Sequence, residues 1–575
     1  MGLFSRLRDT FAGAPPAPAG LPPAAAEPGA RIEAQSARSE ASPFPAWWSA
    51  YNAGSHNNSD TAAWNPSFGS ADSDLLPSRD LIVARIRDVC RNDPIARAGV
   101  ERLVDLVVGH GLHLVSKPDP VALGISLDEA RALGKAIQAQ WRVFALSPHR
   151  ECDAQGRLSV NGLFRLGVRS RVTVGETMAA LDWRKNPLGP YRTCILMVDP
   201  DRVSNPLGEI DSLTRRGGVE LDERGAPIGY HVRQAHWGDW WAWGKAWTWT
   251  YVPRRTQWGR PVFVHAFEPE REGQTKGVSP FVSLVNRLRM VGKFADNELA
   301  AAAANALFAA FVTSDLPSEE VRERLSASGG TLQDRKGWAE YLLGWYSKFP
   351  AKVGGVRIPV MLPGSEIKMN SAPRQTTAFP HFQAAFLQTL AAALGLSYEL
   401  LSSDWSKTNY SSARAALNEV WRFIRRLRSE FVEQFVEPIY YAFLEEAFDR
   451  GFVAAPAGAP SFDECPAAYM RARWIGPGRG IVDPLKEANA ATVRLENLTS
   501  TWERECAEQG EDFEDVFEQI AIETAMLAKF GLSRESIVRA ANSPRTPKPT
   551  SEEAETGEAS EESQEGAQAA EEAAR

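Results

Sequence analysis

The sequence predicts a helix-rich α+β chain built from more than one structural unit. Three observations predict it. Apolar residues recur at helical spacing in several long segments, with capping residues at their starts. A central stretch changes to short apolar runs separated by turns, the pattern of strands. And 575 residues, 44% of them hydrophobic, are too many for one ordinary core.

Residues 1–45 are dominated by Pro, Ala and Gly (APPAPAGLPPAAAEPGA), a composition that builds no core, apart from a short amphipathic start. The ordered body is expected over about 46–540. Its first helix is read as capped by Ser78 and carrying Ile82, Arg85, Ile86 and Val89. Asn92-Asp93-Pro94 ends it and starts a second, with Asp93 as N-cap and Pro94 at the first helical position. That helix runs through Leu103 and Val107 to Gly109 or Gly111. A capping box, Ser126-x-x-Glu129, opens a third, with Leu133, Ile137, Trp141 and Phe144 on one face.

From about 160 to 268 the signals turn to strand: CILMVD (Cys194–Asp199), a GVEL–DERG–PIGYHV hairpin, a Trp-dense stretch at 237–258, and PVFVHAFE. Ser279-Pro280 opens a helix read to about Val312. The segment 314–375 is mixed and Pro/Gly-punctuated. A helix over 379–394 ends at Gly395, and a polar loop from Ser402 to Tyr410 leads into a long helix. Its stripe is Leu417, Val420/Trp421, Ile424, Leu427, Phe431 and Phe435. Two more helices are expected after Pro484 and Asp512. From about Asn542 a Pro-rich breaker and an acidic tail follow.

The net charge of −8 sits in that tail: Ser551–Arg575 holds nine Glu and one Arg, leaving 63 basic and 63 acidic residues in the rest. A balanced body lacks the basic excess of a tight duplex binder. Five scattered Cys with no CxxC give a reduced pattern without a disulfide framework. No apolar run is long enough to cross a bilayer, and the start lacks the apolar core of a signal peptide.

There is no GxxxxGK[ST], HExxH or GxSxG, so neither a nuclease- or helicase-like enzyme nor another catalytic class is supported, and no cofactor is expected. GPGRG (Gly476–Gly480) reads as a turn. His110 and His113 lack a third ligand, and no metal is assigned. Trp237, Trp240, Trp241, Trp243, Trp247, Trp249 and Trp258 could stack sugars or bases, but packing at a β layer or a subunit interface is favoured. Arg422, Arg425, Arg426 and Arg428 could meet phosphates, yet Glu419, Glu430 and Glu433 share that helix, which favours a solvated face.

Taken in order, several segments resemble the lambda-type family of phage portal proteins. They are SADSDLLPSRDLIVARIRDVCRNDPIARAGVERLVDLVVGHGL (Ser70–Leu112), VDPDRVSNP (Val198–Pro206), GVELDERGAPIGYHV (Gly218–Val232), HAFEPEREGQTKGVSP (His265–Pro280), LGLSYELLSSDWSKTNYSSARAALNE (Leu394–Glu419) and WIGPGRGIVDPLKEANA (Trp474–Ala490). The ends and the 233–258 stretch depart from the family pattern. The resemblance implies a portal fold with wing, long-helix stem, clip and helical crown, closed into a ring that in this family is usually a dodecamer. It implies a disordered arm (1–45), a wing (46–277), a first stem helix (278–313), a clip (314–375) and a second stem helix (376–396). A tunnel loop and helix (397–450), remaining wing and crown (451–540) and a disordered acidic tail (541–575) complete the division. It further implies a non-enzymatic channel at one capsid vertex of the virion, assembled in the host cytoplasm, through which genomic DNA is packaged and ejected. The implied partners are further copies of the chain, double-stranded DNA without sequence specificity, the terminase large subunit, head–tail joining proteins, and major capsid and scaffold proteins, with no membrane. Ser402, Asp404, Trp405, Lys407, Asn409 and Tyr410 are the implied channel-loop residues, and Arg422 and Arg426 the second candidates for DNA contact. The alternative is a carbohydrate- or receptor-binding virion protein using the Trp-rich segment.

Overall fold

In a computed structural model the described residues are 68–185, 189–308, 378–406, 408–480 and 483–533, with residues 63 and 66 and two short strands, β9 (Lys352–Val353) and β10 (Val356–Arg357). The expected arm, the acidic tail, nearly all of 314–375, and Lys407 lie outside them.

Helix α1 spans Ala71–Asn92 and α2 Pro94–Val107. Ser70, and not Ser78, caps α1: its hydroxyl accepts from the Ser73 amide at 3.2 Å, while Ser78 lies inside the helix. The expected start was drawn too late because Pro77 reads as a boundary, yet it is carried within the helix. Asp93 caps α2 as expected, its Oδ1 accepting from the amides of Ile95 and Ala96. The capping box at Ser126 and Glu129 opens α3 (Leu127–Ala145), whose Leu133, Ile137, Trp141 and Phe144 are all buried.

The strand-rich region begins later than expected. Residues Val160–Val174 form α4, capped by Ser159 and closed by Gly175 in the left-handed region at φ 100°. Their Val and Gly content suggests strand, but Leu163, Phe164, Gly167, Val168, Arg171 and Val172 share one buried helical face. Strands β2 (Glu176–Trp183), β3 (Thr193–Val198) and β8 (Phe263–Phe267) form an antiparallel sheet in the order β3-β2-β8. A second antiparallel sheet runs β4 (Arg215–Arg216), β5 (Val219–Leu221), β6 (Pro227–Arg233), β7 (Trp249–Pro253), and β5–β6 is the expected hairpin. Strand β1 (His113–Ser116) pairs with β11 (Ala472–Ile475), tying the first third of the chain to its last.

After a short 3-10 turn at Pro280–Ser283, capped by Ser279, α5 runs Val285–Phe308. Then come α6 (Ala378–Ala393), α7 (Tyr398–Ser402) and α8 (Tyr410–Phe431). Helix α8 continues through a π-helical turn, Val432–Val436, into α9 (Glu437–Asp449). From Pro484 on, the described residues form three helices where two were expected: α10 (Pro484–Glu496), α11 (Trp502–Gln509) and α12 (Phe513–Lys529). The unforeseen one, α11, is short and strongly charged, with Thr501 and Gly510 as its only punctuation.

One large core joins α2, α3, α4, α8 and α9. Trp141 meets Phe443 edge-on at 5.1 Å between ring centroids, and Phe431 stacks on Phe435 at 5.2 Å. A smaller core, with Tyr230 stacked on Phe263 at 4.3 Å, joins the two sheets. Beside it lies a buried ionic knot. The Glu176 carboxylate accepts from Arg79, from His265 Nε2 at 2.9 Å and from the Gly277 amide at 3.0 Å, with Lys276 Nζ 3.6 Å away. Asp72 accepts from the Thr275 amide (2.8 Å) and from Arg216 Nη1 (2.9 Å). The knot therefore joins α1, both sheets and the 275–277 loop. A side chain on Gly175 would lie 2.3 Å from the Val278 backbone, so glycine there permits both the turn and the close passage of this loop.

Candidate nucleic-acid interface

The channel-loop candidates sit in the connection from α7 to α8, at residues 403–409. Gly395, at φ 67°, ends α6, and Ser397 caps α7 by accepting from the Leu400 amide at 3.3 Å. Gly99 of α2 leaves room for this base: an added Cβ would stand 2.8 Å from Leu394 and 3.6 Å from Leu401. Asn409 caps α8, its Oδ1 accepting from the amide and the hydroxyl of Ser412, both at 2.9 Å.

Between these anchors the loop is tied down by its own side chains. Ser402 ends α7 instead of lying in the loop; its hydroxyl donates to the Tyr398 carbonyl (2.7 Å) and accepts from the Asp404 amide (3.2 Å). Ser403 takes the left-handed conformation at φ 57°. Asp404 Oδ1 accepts from the amide (3.0 Å) and hydroxyl (2.6 Å) of Ser406, and its Oδ2 from the Tyr398 hydroxyl (3.3 Å). Such local bonding is what short polar side chains do in turns. Ser402, Asp404 and Asn409 thus shape the loop, whereas the Trp405 ring is 44% exposed. Tyr410 is the first residue of α8, and not a loop residue.

The arginines of α8 divide. Arg428 is part-buried and donates to the carbonyls of Leu106 (2.7 Å), Val107 (2.9 Å) and Pro477 (3.3 Å) while lying over the Trp421 ring. It satisfies the C-terminal carbonyls of α2. Burial, with Arg425 nearby, pushes its guanidinium down to about 10. Arg426 is held by Glu268 (2.5 Å) and Glu430 (2.7 Å), so the second candidate pair is split. Arg422 is exposed and has no ion pair among the described residues.

Sequence reasoning missed Arg102 of α2, whose Nη2 donates to the Ser403 hydroxyl at 3.0 Å. Three hundred positions separate the two, and no local pattern signals the contact.

Two other clusters meet the chemistry of a site less well. Asp199, Asp201 and His236 bring ligand atoms within 4.8 Å of one another, but Arg87 bonds both carboxylates, at 2.7 and 2.6 Å. His110 and His113 meet Nε2 to Nε2 at 3.3 Å; burial, and then His110 itself, hold the His113 imidazole below its ordinary pKa. In the Trp-rich excursion between β6 and β7, Trp237 packs edge-on against Trp247 at 4.7 Å, and Arg233 lies over Trp237 and Trp249. Most of these indoles nevertheless stay open to solvent.

Residues 57–428 match a family model described as phage portal protein, lambda family. The chain is 34% identical over 481 residues to the portal protein of Escherichia phage N15, covering 83% of this chain and 90% of that one. It is 32% identical over 482 residues to portal protein B of Escherichia phage lambda, with the same coverage. It is 24% identical over 488 residues to a probable portal protein of Halomonas phage phiHAP-1, covering 83% of this chain and 86% of that one. Among solved structures, a chain from the virion of a native gene transfer agent particle aligns at 14% identity over 77% of this chain and 95% of that one, with a TM-score of 0.36, too low for any structural inference.

Proposed function

Because the chain belongs to the lambda family of phage portal proteins, we propose that copies of it close into a ring that forms the DNA channel at one capsid vertex, with the 403–409 loop lining the passage. The observation that carries this reading is the family match itself, which includes α7, the loop and most of α8 within residues 57–428. The chemistry of the chain supports it. A passage for duplex of any sequence needs neither base readout nor a strong phosphate trap. The body without its tail is charge-balanced, and Arg425, Arg426 and Arg428 of α8 are engaged by carboxylates or carbonyls of the chain itself.

In this reading α5 and α6 are the stem helices, the 314–375 segment is the clip that docks the terminase large subunit and later the head–tail joining proteins, and α10–α12 belong to the crown. Capsid and scaffold proteins meet the ring from outside. The protein performs no catalysis, and the ring resides at the portal vertex of the virion after assembly in the host cytoplasm.

Native mass spectrometry with negative-stain imaging of the purified full chain tests the ring. A closed assembly of about a dozen subunits with a central hole is expected; a monomer at every concentration would sink the reading. The loop is tested by Lys407→Ala, which is expected to leave rings intact while DNA packaging or retention changes. Unaltered packaging by Lys407→Ala and Trp405→Ala together would remove the loop from the channel wall.

A further inference from the structure

A ring of more than two identical subunits needs two unlike surfaces on each subunit, because its contacts are head-to-tail. The four-stranded sheet carries such a pair on its opposite edges. At one edge, the loop that enters β4 presents Leu207, Ile210 and Leu213, with Ile210 92% and Leu213 91% exposed. It is no loose excursion: Asn205 Nδ2 bonds Asp211 (2.8 Å), and Asp211 in turn accepts from the Gly217 amide (2.8 Å), which holds the loop against β4. At the other edge, the 234–248 excursion that enters β7 presents Trp237, Trp240, Trp241, Trp243 and Trp247, with Trp240 79% and Trp241 70% exposed. The two edge strands stand about 14 Å apart, three strand spacings.

We propose that the Trp-rich edge of one subunit docks on the aliphatic edge of the next copy of the same chain. This deepens the ring reading above and rests on it. Two physical arguments select a second copy as the occupant. The first is area. A fully covered indole buries roughly 200 Å², so five indoles exposed by about half to four-fifths offer on the order of 600 Å², close to the roughly 800 Å² per partner of a standard protein interface. A sugar or a few bases would cover a fraction of that. The second is complementarity. The Trp edge offers flat rings and the other edge branched aliphatics. The acidic groups of the aliphatic loop are already engaged, Glu209 with Arg215 (2.8 Å) and Asp211 with Asn205 and the Gly217 amide, so the loop meets a partner with its apolar side chains. Rigid aromatics with few torsions, set against branched aliphatics, make the usual centre of a protein contact.

The head-to-tail geometry dictates the test, which uses full-length chains. One variant loses the aromatic edge (Trp240→Ser with Trp241→Ser); the other places charge in the aliphatic edge (Ile210→Asp with Leu213→Asp). Circular dichroism confirms that each is folded. Under conditions where the unaltered chain forms rings, each variant alone is expected to be monomeric by native mass spectrometry. Mixed one to one, the intact Trp edge of the second meets the intact aliphatic edge of the first. A heterodimer forms and grows no further, because both of its outer edges are dead. Rings from either variant alone overturn the proposal while leaving the ring reading in place, and would leave the indoles to a glycan or to a virion protein outside the ring. A mixture that stays monomeric overturns the pairing of these two edges. A monomeric unaltered chain overturns the ring reading, and this proposal with it.

Discussion

The two antiparallel sheets lie side by side and share a small core, yet they are finished in opposite ways. The three-stranded sheet is closed in: β2 is buried along most of its length, and its first residue, Glu176, anchors an ionic knot with no access to water. The four-stranded sheet is open: β7 is half-exposed, and apolar clusters stand in solvent at both of its edges. An unpaired sheet edge with apolar surface is a hazard for a chain that works alone. The closed sheet satisfies its polar groups within the chain, whereas the open sheet leaves its apolar edges to solvent.

The largest effect should come from breaking the closed sheet at its centre. Glu176→Ala leaves Arg79 and Lys276 buried without their carboxylate, and is expected to cost about 3–5 kcal/mol in urea denaturation. A cost near zero would mean that water reaches the knot. Next comes Gly175→Ala, where a new Cβ meets the Val278 backbone at a positive φ; about 1–3 kcal/mol is expected in the same assay.

Acid should act on the closed sheet too. Burial holds the His265 imidazole below its ordinary pKa, so below about 6.5 the unfolded chain takes up a proton that the folded chain refuses, and stability falls as pH falls. Burial alone would raise the Glu176 carboxyl, but Lys276, Arg79 and His265 outweigh it and hold it well below the carboxylate range. Below about 4.5 this adds a second, steeper loss. Thermal melts stepped from pH 7 to 4 should show both phases, and His265→Gln should flatten the first. An unchanged slope in that variant would place the acid sensitivity elsewhere. The smallest effect is expected at the open sheet. Trp240→Ser with Trp241→Ser should change the stability of the monomeric chain by no more than about 0.5 kcal/mol, because exposed side chains contribute little to the fold that bears them. A larger loss would make the indoles part of the fold and blunt the contrast.

What was legible in the sequence follows the same division. Signals that act over a few residues, such as Asp93-Pro94, the Ser126/Glu129 box and Gly395, predicted helix ends that the structure shows. Where two local signals compete, the reading failed: Pro77 hid the true start of α1 at Ser70, and Val-rich 160–174 concealed a helix whose buried face only tertiary packing selects. The knot was illegible because Arg79, Glu176, His265 and Lys276 are far apart in the chain and each is unremarkable alone. The polar run Ser402–Tyr410 was legible as a connection between helices, and the structure trims it to 403–409, but the parts its side chains play were not. Nothing in the string Ser402-Ser403-Asp404 says that the first and third side chains turn back to hold the loop while Arg102 reaches in from α2. Lys407 lies outside the described residues.

The π turn at Val432–Val436 has a consequence for how this chain can vary. Buried Val420 and Ile439 stand nineteen positions apart, about 100° out of phase on an uninterrupted α-helix. The one surplus residue in the wider turn cancels that offset, so that both side chains face the same core. The turn therefore acts as a phase corrector. An insertion that would have swung Ile439, Tyr440 and Phe443 away from their neighbours is absorbed within five residues; removing one of the five would return the turn to ordinary α-helix with α9 still in phase, whereas one further residue would turn the whole of α9 by roughly 100°.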